Sequence, residues 1–582
     1  MSGLLPAPVN LPFDQNISSL RRPTTAIEQR CAGQSSALRR SANFQPNLWS
    51  NDYIQSLTVS SPVEKKDQTE RIKLLKEKIR DAIDEKKEVA EEQLELIDHL
   101  QQLGVAYHFK DNIKDCLTRL HASLQDVITL KFNDNLPATA LLFRLLRENG
   151  FSISEDIFEK YRDEKGDFGD GGENHTEGML SLYEASHYAT EGEMVLQEAM
   201  EFTTERLKNL LAEGSETKLR KKVADALELP LNWRMERLHA RRYIEACQTD
   251  ASIINDPLLL EFATLDFNAV QSMYKKELSA LSRFWTELGL VEKLPFARDR
   301  LTESYLWTVG WAFEPEQWRF REAQTKANCF GTLIDDVYDV YGTLDELELF
   351  THVVDRWDVN AIDKLPEYMK VLFLAIFNTT NDEAYKVMKE KGLDIIPYLK
   401  GAWADLCKAY LLEAKWYHQG CTPTLAEYLE NAYVSISGPL VLTNAYCMAD
   451  DMSEQDFERF SGHLAIAKPP SMLARLYNDL VTSTAETKRG DVPKSIQCCM
   501  HEADGVSEAV ARRRIQELIK VNWRRMNGDR GGASSLEEHL KRVAVGMARA
   551  THFFYGDGDG FGERDGDIKG QLMALLVNPV DG

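Results

Sequence analysis

No stretch of this chain approaches the roughly 20 apolar residues of a membrane-spanning helix. A membrane partner is therefore not expected. The nine cysteines, at 31, 116, 247, 329, 407, 421, 447, 498 and 499, contain no Cys-x-x-Cys pair and no paired framework, so they read as reduced thiols in an intracellular compartment. Basic residues are in deficit. Lys and Arg number 69 against 92 Asp and Glu, a formal charge of −23, and no basic stripe offsets it. That argues against a nucleic acid or an anionic membrane as partner, and an anionic substrate must be held by local Arg, Lys and metal charge. Alternating strand runs bounded by hairpin turns are missing too, and no fixed repeat period names a solenoid.

What is present is helical and long. At 582 residues, 43% apolar and 28% charged, the chain has the balance of a globular protein too large for one ordinary core, and two domains are expected. Between Arg71 and Ile83 the apolar residues recur at 72, 75, 79 and 83, one stripe at helical period with charges elsewhere. Comparable stripes cover 93–103, 112–130, 196–211 and 256–274. The Gly-rich acidic stretch from Asp163 to Asn174 reads as a loop, and the periodicity weakens again over Gln248–Pro257, placing a domain boundary near 255.

Residues 1–38 differ from the rest. They hold Pro6, Pro8, Pro12 and Pro23, Arg21, Arg22 and Arg30, several Ser and Thr, and only Asp14 and Glu28 as acids. Without a continuous apolar core after a basic start this is no secretory signal, and a short chloroplast transit peptide fits. A disordered cytosolic tail is the alternative.

The chemistry concentrates in two helical clusters. Asp335-Asp336-Val337-Tyr338-Asp339 follows the apolar run Cys329–Ile334, and Asn478, Thr482 and Glu486 follow Met472–Tyr477 in the same way. In a helix the offsets i, i+1, i+4 and i, i+4, i+8 put oxygen donors on adjacent turns of one face. Such hard donors suit Mg²⁺ or Mn²⁺ together with substrate phosphates, whereas zinc or copper would favour His and Cys. Either cluster alone is more often a solvated face. Their apolar setting and a nearby Arg pair, Arg298 and Arg300 in Phe296-Ala297-Arg298-Asp299-Arg300, raise the case, because guanidinium groups partner phosphate oxygens.

Taken together, RDR at 298–300, DDVYD at 335–339 and NDLVTSTAE at 478–486 resemble, in order and spacing, the RxR, DDxxD and NSE/DTE motifs of the plant class I terpene synthases. The match runs from Arg39, where Arg39-Arg40 and Trp49 are similar to the RRx8W motif of monoterpene synthases, to near the C-terminus. The resemblance implies an all-α fold: an N-terminal α-barrel-like domain over 39–255, structural in role, and a catalytic C-terminal α-bundle over 256–582, consistent with metal sites in bundle cores. The DxDD acid motif of the other cyclase chemistry is absent, since Met448-Ala449 precede Asp450-Asp451.

It further implies metal ligands Asp335, Asp336, Asp339, Asn478, Thr482 and Glu486 for three Mg²⁺ or Mn²⁺ ions. Asp336 is expected to orient the site, because adjacent helical residues diverge by about 100°. Arg298, Arg300, Arg475 and Lys494 would join Asp335, Asp339 and Asn478 in holding the diphosphate. Arg39 and Arg40, on a strand serving as a lid, would assist isomerisation. Trp307, Trp311 and Tyr555 are the candidates for stabilising a carbocation through their ring faces, and Ser435–Pro439 is the expected helix break.

The implied activity is a plastidial monoterpene synthase, acting as a monomer in the stroma and converting geranyl diphosphate to a cyclic product plus diphosphate. A cytosolic sesquiterpene synthase using farnesyl diphosphate and a non-catalytic helical scaffold are the alternatives. Asn328, seven residues before Asp335 and so nearly on its face, is expected to look into the pocket. There it could hold a quenching water or bond its own helix. Asn328 and Ala474 stand where isoprene synthases carry bulky aromatics, so a cavity for ten carbons is expected.

Overall fold

The structure is a computed structural model. It describes the backbone of residues 39, 42, 44–57, 62–86, 89–132, 134–164, 166, 168, 175–212, 218–457, 464–489, 492–502, 506–532, 534–556, 558–561 and 568–581, without the side chains of 62–66, 175, 457, 464 and 485–489. By contact it forms two compact units, Met1–Arg40 and Ser41–Gly582.

The described residues are helical almost throughout, with one isolated bridge, Arg162 to Phe168, as their only strand-like pairing. The expected stripe at 72–83 lies on the helix Pro62–Glu85 and buries Leu75, Ile79 and Ile83. Burial of that kind, rather than intrinsic propensity, holds such helices in place. The stripe at 112–130 is broken: Lys110–Ala122 ends, and a π turn over Val127–Lys131 follows. Most of the loop expected at Asp163–Asn174 and the whole transit segment lie outside the described residues.

Helix Glu236–Thr249 ends just before Pro257–Leu288 begins. The new helix starts where the sequence dictates: Pro257 sits in its first turn, and the Asp256 carboxylate caps it by accepting from the N–H groups of Leu258 and Leu259. Helices on either side of this link are tied together. Tyr107 and His108 both bond the buried carboxylate of Asp266, Trp233 stacks on Trp523 with centroids 5.3 Å apart, and Arg549 donates to the Asn232 carbonyl.

Four helices position the site: Leu301–Trp311, Trp318–Asp336, Ile396–Gln419 and Lys468–Arg489. Leu425–Ser435 and Gly438–Met448 are separated by the break expected at 435–439, with Ser437 left-handed at φ 67°. Gly438 is needed there because a Cβ would lie 1.7 Å from Ser471 Oγ, so close does the Lys468–Arg489 helix approach. Among the described residues no helix is long and apolar enough to cross a membrane.

Candidate active site

The helix Trp318–Asp336 buries Cys329, Phe330, Leu333 and Ile334 and carries Asp335, the first acid of DDVYD, at the edge of the core. Asp335 is 33% exposed and Asp336 only 1%. Their roles diverge accordingly, as the 100° between neighbours requires. Arg298 fastens Asp336 through its backbone N–H at 2.7 Å and Nε at 2.9 Å, and reaches Asp335 with Nη2 at 2.5 Å. Burial by itself would depress the pKa of Arg298, but the Asp336 and Asp335 carboxylates outweigh it and hold the guanidinium well above its ordinary value.

Beyond Asp336 the helix widens into a π turn over Val337–Tyr341, which carries Asp339. Inserted turns of this kind re-aim side chains. Here Gly342 accepts the wide turn, its N–H bonding Val337 O at 2.7 Å, at a point where a Cβ would meet Leu347 Cδ2 at 2.6 Å. Phe296 stacks flat on Tyr341, with centroids 3.7 Å apart, and Tyr368 meets Tyr341 edge-on. The segment carrying RDR and the turn carrying Asp339 are thus braced against each other.

On the opposite helix, Arg475 is buried, donates through Nη2 to Ser435 Oγ at 3.0 Å, and lies 3.9 Å from Asp479. Its Nε finds no acceptor among the described residues, an open donor that an anionic oxygen would satisfy. Asp479, fully buried, also accepts from Tyr428 Oη and from the backbone N–H of Ser495, which pins the loop that carries Lys494. Lys494 itself is buried. Thr482 Oγ1 gives its hydrogen to Asn478 O at 3.0 Å, leaving oxygen lone pairs for a cation.

Among the described residues no three His, Cys, Asp or Glu side chains converge as a ready metal cluster. The residues expected as ligands lie on separate segments: carboxylates of Asp335 and Asp339 at the end of one helix and its π turn, and the amide and hydroxyl oxygens of Asn478 and Thr482 on the helix Lys468–Arg489. An all-oxygen set is of the chemistry that suits Mg²⁺ or Mn²⁺. The Glu486 side chain and Arg40 lie outside the described residues, and Arg39 belongs to the separate unit Met1–Arg40.

Tyr410, on helix Ile396–Gln419, feels charge from both segments. Burial first, then the negative charge of Asp335 and Asp339, hold its hydroxyl well above its ordinary pKa against the opposing pull of Arg475. Tyr555 likewise responds to burial and then to Asp559, Arg298, Arg475 and Asp335. Above them stands an aromatic wall in which Trp307 stacks on Phe554 at 4.1 Å, with Trp311, Tyr555 and Phe561 around it. Asn328 bonds within its own helix and to the helix Leu301–Trp311: its Oδ1 accepts from Gln324 Nε2 at 2.8 Å and its Nδ2 donates to Ser304 O at 3.4 Å.

Arg300 behaves unlike Arg298. Its Nε donates to Phe561 O at 3.1 Å, and its Nη1 to Gln45 O at 3.2 Å and Asp299 O at 2.9 Å. These bonds go to carbonyls of the chain's own segments, where the sequence alone places a diphosphate ligand. Sequence reasoning also missed Asp479, Tyr410 and Phe554. For Asp479 a signal existed: it stands at i+4 from Arg475.

Residues 286–525 match the family model described as "Terpene synthase family, metal binding domain", and 48–227 match "Terpene synthase, N-terminal domain". The chain is 68% identical to "Monoterpene synthase 8, chloroplastic" of Hedychium coronarium, covering 100% of each. A limonene synthase structure with 2-fluorolinalyl diphosphate aligns at TM-score 0.87 and 38% identity, covering 94% of this chain and 100% of that one. Grey poplar isoprene synthase, with three Mg²⁺ ions and dimethylallyl-S-thiolodiphosphate, aligns at 0.82 and 40%, covering 92% and 99%.

Proposed function

Because the chain belongs to the terpene synthase family, we propose that it is a monoterpene synthase converting geranyl diphosphate into a monoterpene, cyclic in the main, and inorganic diphosphate. The observation that carries the reading is the bonding of Arg298, from RDR, to both Asp335 and Asp336, from DDVYD, in a chain that also holds the stacked pair Trp307 and Phe554.

Mg²⁺ or Mn²⁺ held by Asp335, Asp339, Asn478, Thr482 and Glu486, three ions as in the isoprene synthase structure, would supply the positive charge that makes diphosphate a leaving group. The protein's own residues do the rest. Arg298, Arg475 and Lys494 hold phosphate oxygens, and Asp336 acts through Arg298, fixing its direction. Trp307, Tyr555 and Phe554 offer ring faces to the cation while the buried wall excludes water. Residues 39–255 form the N-terminal helical domain and 256–582 the catalytic one. Residues 1–38 direct the protein to the plastid, in keeping with the chloroplastic relatives, where it works as a monomer.

The test is to incubate the purified full-length chain with Mg²⁺ and, separately, geranyl, farnesyl or dimethylallyl diphosphate, analysing products by chiral gas chromatography. A ten-carbon product from geranyl diphosphate, made in preference to others, is expected. Preference for farnesyl diphosphate would make it a sesquiterpene synthase. Turnover of none of them would leave a helical scaffold.

A further inference from the structure

The segment 44–49, which has no regular secondary structure, meets residues 298–300 through several contacts. Phe44 places its ring 4.7 Å from the Arg298 guanidinium carbon. The Gln45 carbonyl accepts from Arg300 Nη1, and Asn47 Nδ2 donates to Asp299 Oδ2 at 2.9 Å. Asn47 also accepts from the Trp49 backbone N–H at 2.9 Å, and Trp49 lines the same cleft as Glu303. Asp299 is itself held by Trp285 Nε1 at 3.1 Å. A cleft lined by Trp49, Arg300 and Phe561 borders the seam, and Trp49 itself is buried, so directed polar bonds and one buried indole hold the segment.

Arg300 has a second duty. The carbonyl it engages through Nε belongs to Phe561, in the C-terminal loop, and the Phe561 ring meets the cavity residue Trp307 edge-on at 6.4 Å. One buried guanidinium therefore joins an N-terminal segment and a C-terminal loop, one residue removed from the Asp299 that grips the same segment. A planar fork donating to carbonyls on different segments is a structural tie that a lysine could not reproduce.

We propose that Arg300, with Asp299, is a clasp that fastens the N-terminal segment 44–49 and the Phe561 loop over the mouth of the site, and not a ligand of the diphosphate. This rests on the function proposed above. A closed mouth keeps bulk water from the cation. When the clasp opens, water adds through its oxygen to the allylic cation and loses a proton to solvent, giving an acyclic ten-carbon alcohol in place of a ring.

The experiment compares the full-length protein with Arg300→Gln, Asn47→Ala and Arg298→Gln. Three readouts are taken: the fraction of acyclic alcohol formed from geranyl diphosphate, the inhibition constant of inorganic diphosphate, and the rate of tryptic cleavage within 39–66. Arg300→Gln and Asn47→Ala should each raise the alcohol fraction several-fold and speed cleavage, with diphosphate inhibition within about twofold of the parent, while Arg298→Gln weakens inhibition about tenfold or more. If Arg300→Gln weakens diphosphate inhibition as Arg298→Gln does, or if Arg300→Gln and Asn47→Ala both leave product mix and cleavage unchanged, the clasp is wrong. Should Arg300→Gln fail to fold, the half-buried Asn47→Ala decides on its own. A parent protein inactive on geranyl diphosphate would overturn the functional reading instead, and tryptic cleavage would then judge the clasp.

Discussion

Arg298 donates to Asp336 from two points at once, its backbone N–H at 2.7 Å and its Nε at 2.9 Å. The first residue of RDR is thereby locked to the second acid of DDVYD. Asp335, one residue earlier and a third exposed, is left with open oxygen lone pairs. Two adjacent aspartates thus do different work, one supporting an arginine and the other facing the site.

Substitution should separate them. Asp335→Ala is expected to reduce turnover of geranyl diphosphate by orders of magnitude with little change in melting temperature, because what is lost is charge stabilisation in the transition state. Asp336→Asn should cost both, since it turns a donor toward Arg298 and leaves a buried guanidinium short of its counter-charge, a loss of about 3 kcal/mol. Steady-state kinetics and thermal melts of both variants check this. An Asp336→Asn protein of parental melting temperature would make Asp336 a ligand instead.

Asp479 lies within the second motif yet faces away from solvent, accepting from Tyr428 and Ser495 and flanking Arg475. Asp479→Asn should therefore weaken inorganic diphosphate binding about tenfold, by loosening Arg475 and the Lys494 loop, although it removes no ligand. Competitive inhibition by diphosphate measures it. Unchanged inhibition would limit Asp479 to packing.

Much of this was legible in the sequence, and the parts that were not share a physical cause. The apolar stripes gave the helices because burial at a period of 3.6 is local. The break at 435–439 was legible because Gly and Pro act on their own backbone. The π turn at Val337–Tyr341 was not, since the rings packed on its Tyr341, those of Phe296 and Tyr368, come from elsewhere in the chain. Arg300 reads as a phosphate ligand from the RxR motif, and its bonds to the carbonyls of Gln45 and Phe561, some 260 residues away on either side, leave no local mark. Tyr410 carries no local mark at all, because its place between two motifs arises from helix packing.

Stability should depend on pH through Glu184, far from the site. Burial pushes its carboxyl up to about 7, against the pull of Arg234 and the Leu231 N–H that it accepts at 2.8 Å. The folded value thus lies above that of the unfolded chain, so the folded protein retains a proton that the unfolded chain releases. Stability from this group is full below about pH 4.5 and is lost as pH rises to about 7, on the order of 3 kcal/mol at most. Glu184→Gln keeps the acceptor for Leu231 and should flatten the melting-temperature profile between pH 5 and 7. A variant with the parental slope would remove Glu184 as its source.

Isomerisation should be separable from ionisation at the N-terminus. A six-membered ring cannot form directly from geranyl diphosphate, because its trans double bond keeps the reacting ends apart, and rearrangement to the linalyl isomer must come first. The resemblance to RRx8W proteins assigns help with that step to Arg39 and Arg40. Removing everything through Arg40 leaves Ser41–Gly582, which is one compact unit and retains the segment 44–49, so the shortened protein should fold and still ionise substrate. It is expected to convert geranyl diphosphate poorly into cyclic products while cyclising supplied linalyl diphosphate nearly as well as the full chain. Turnover of the two substrates by both proteins, with products resolved by gas chromatography, gives the comparison. Equal handling of geranyl and linalyl diphosphate by the shortened protein would assign the arginine pair to the targeting segment alone.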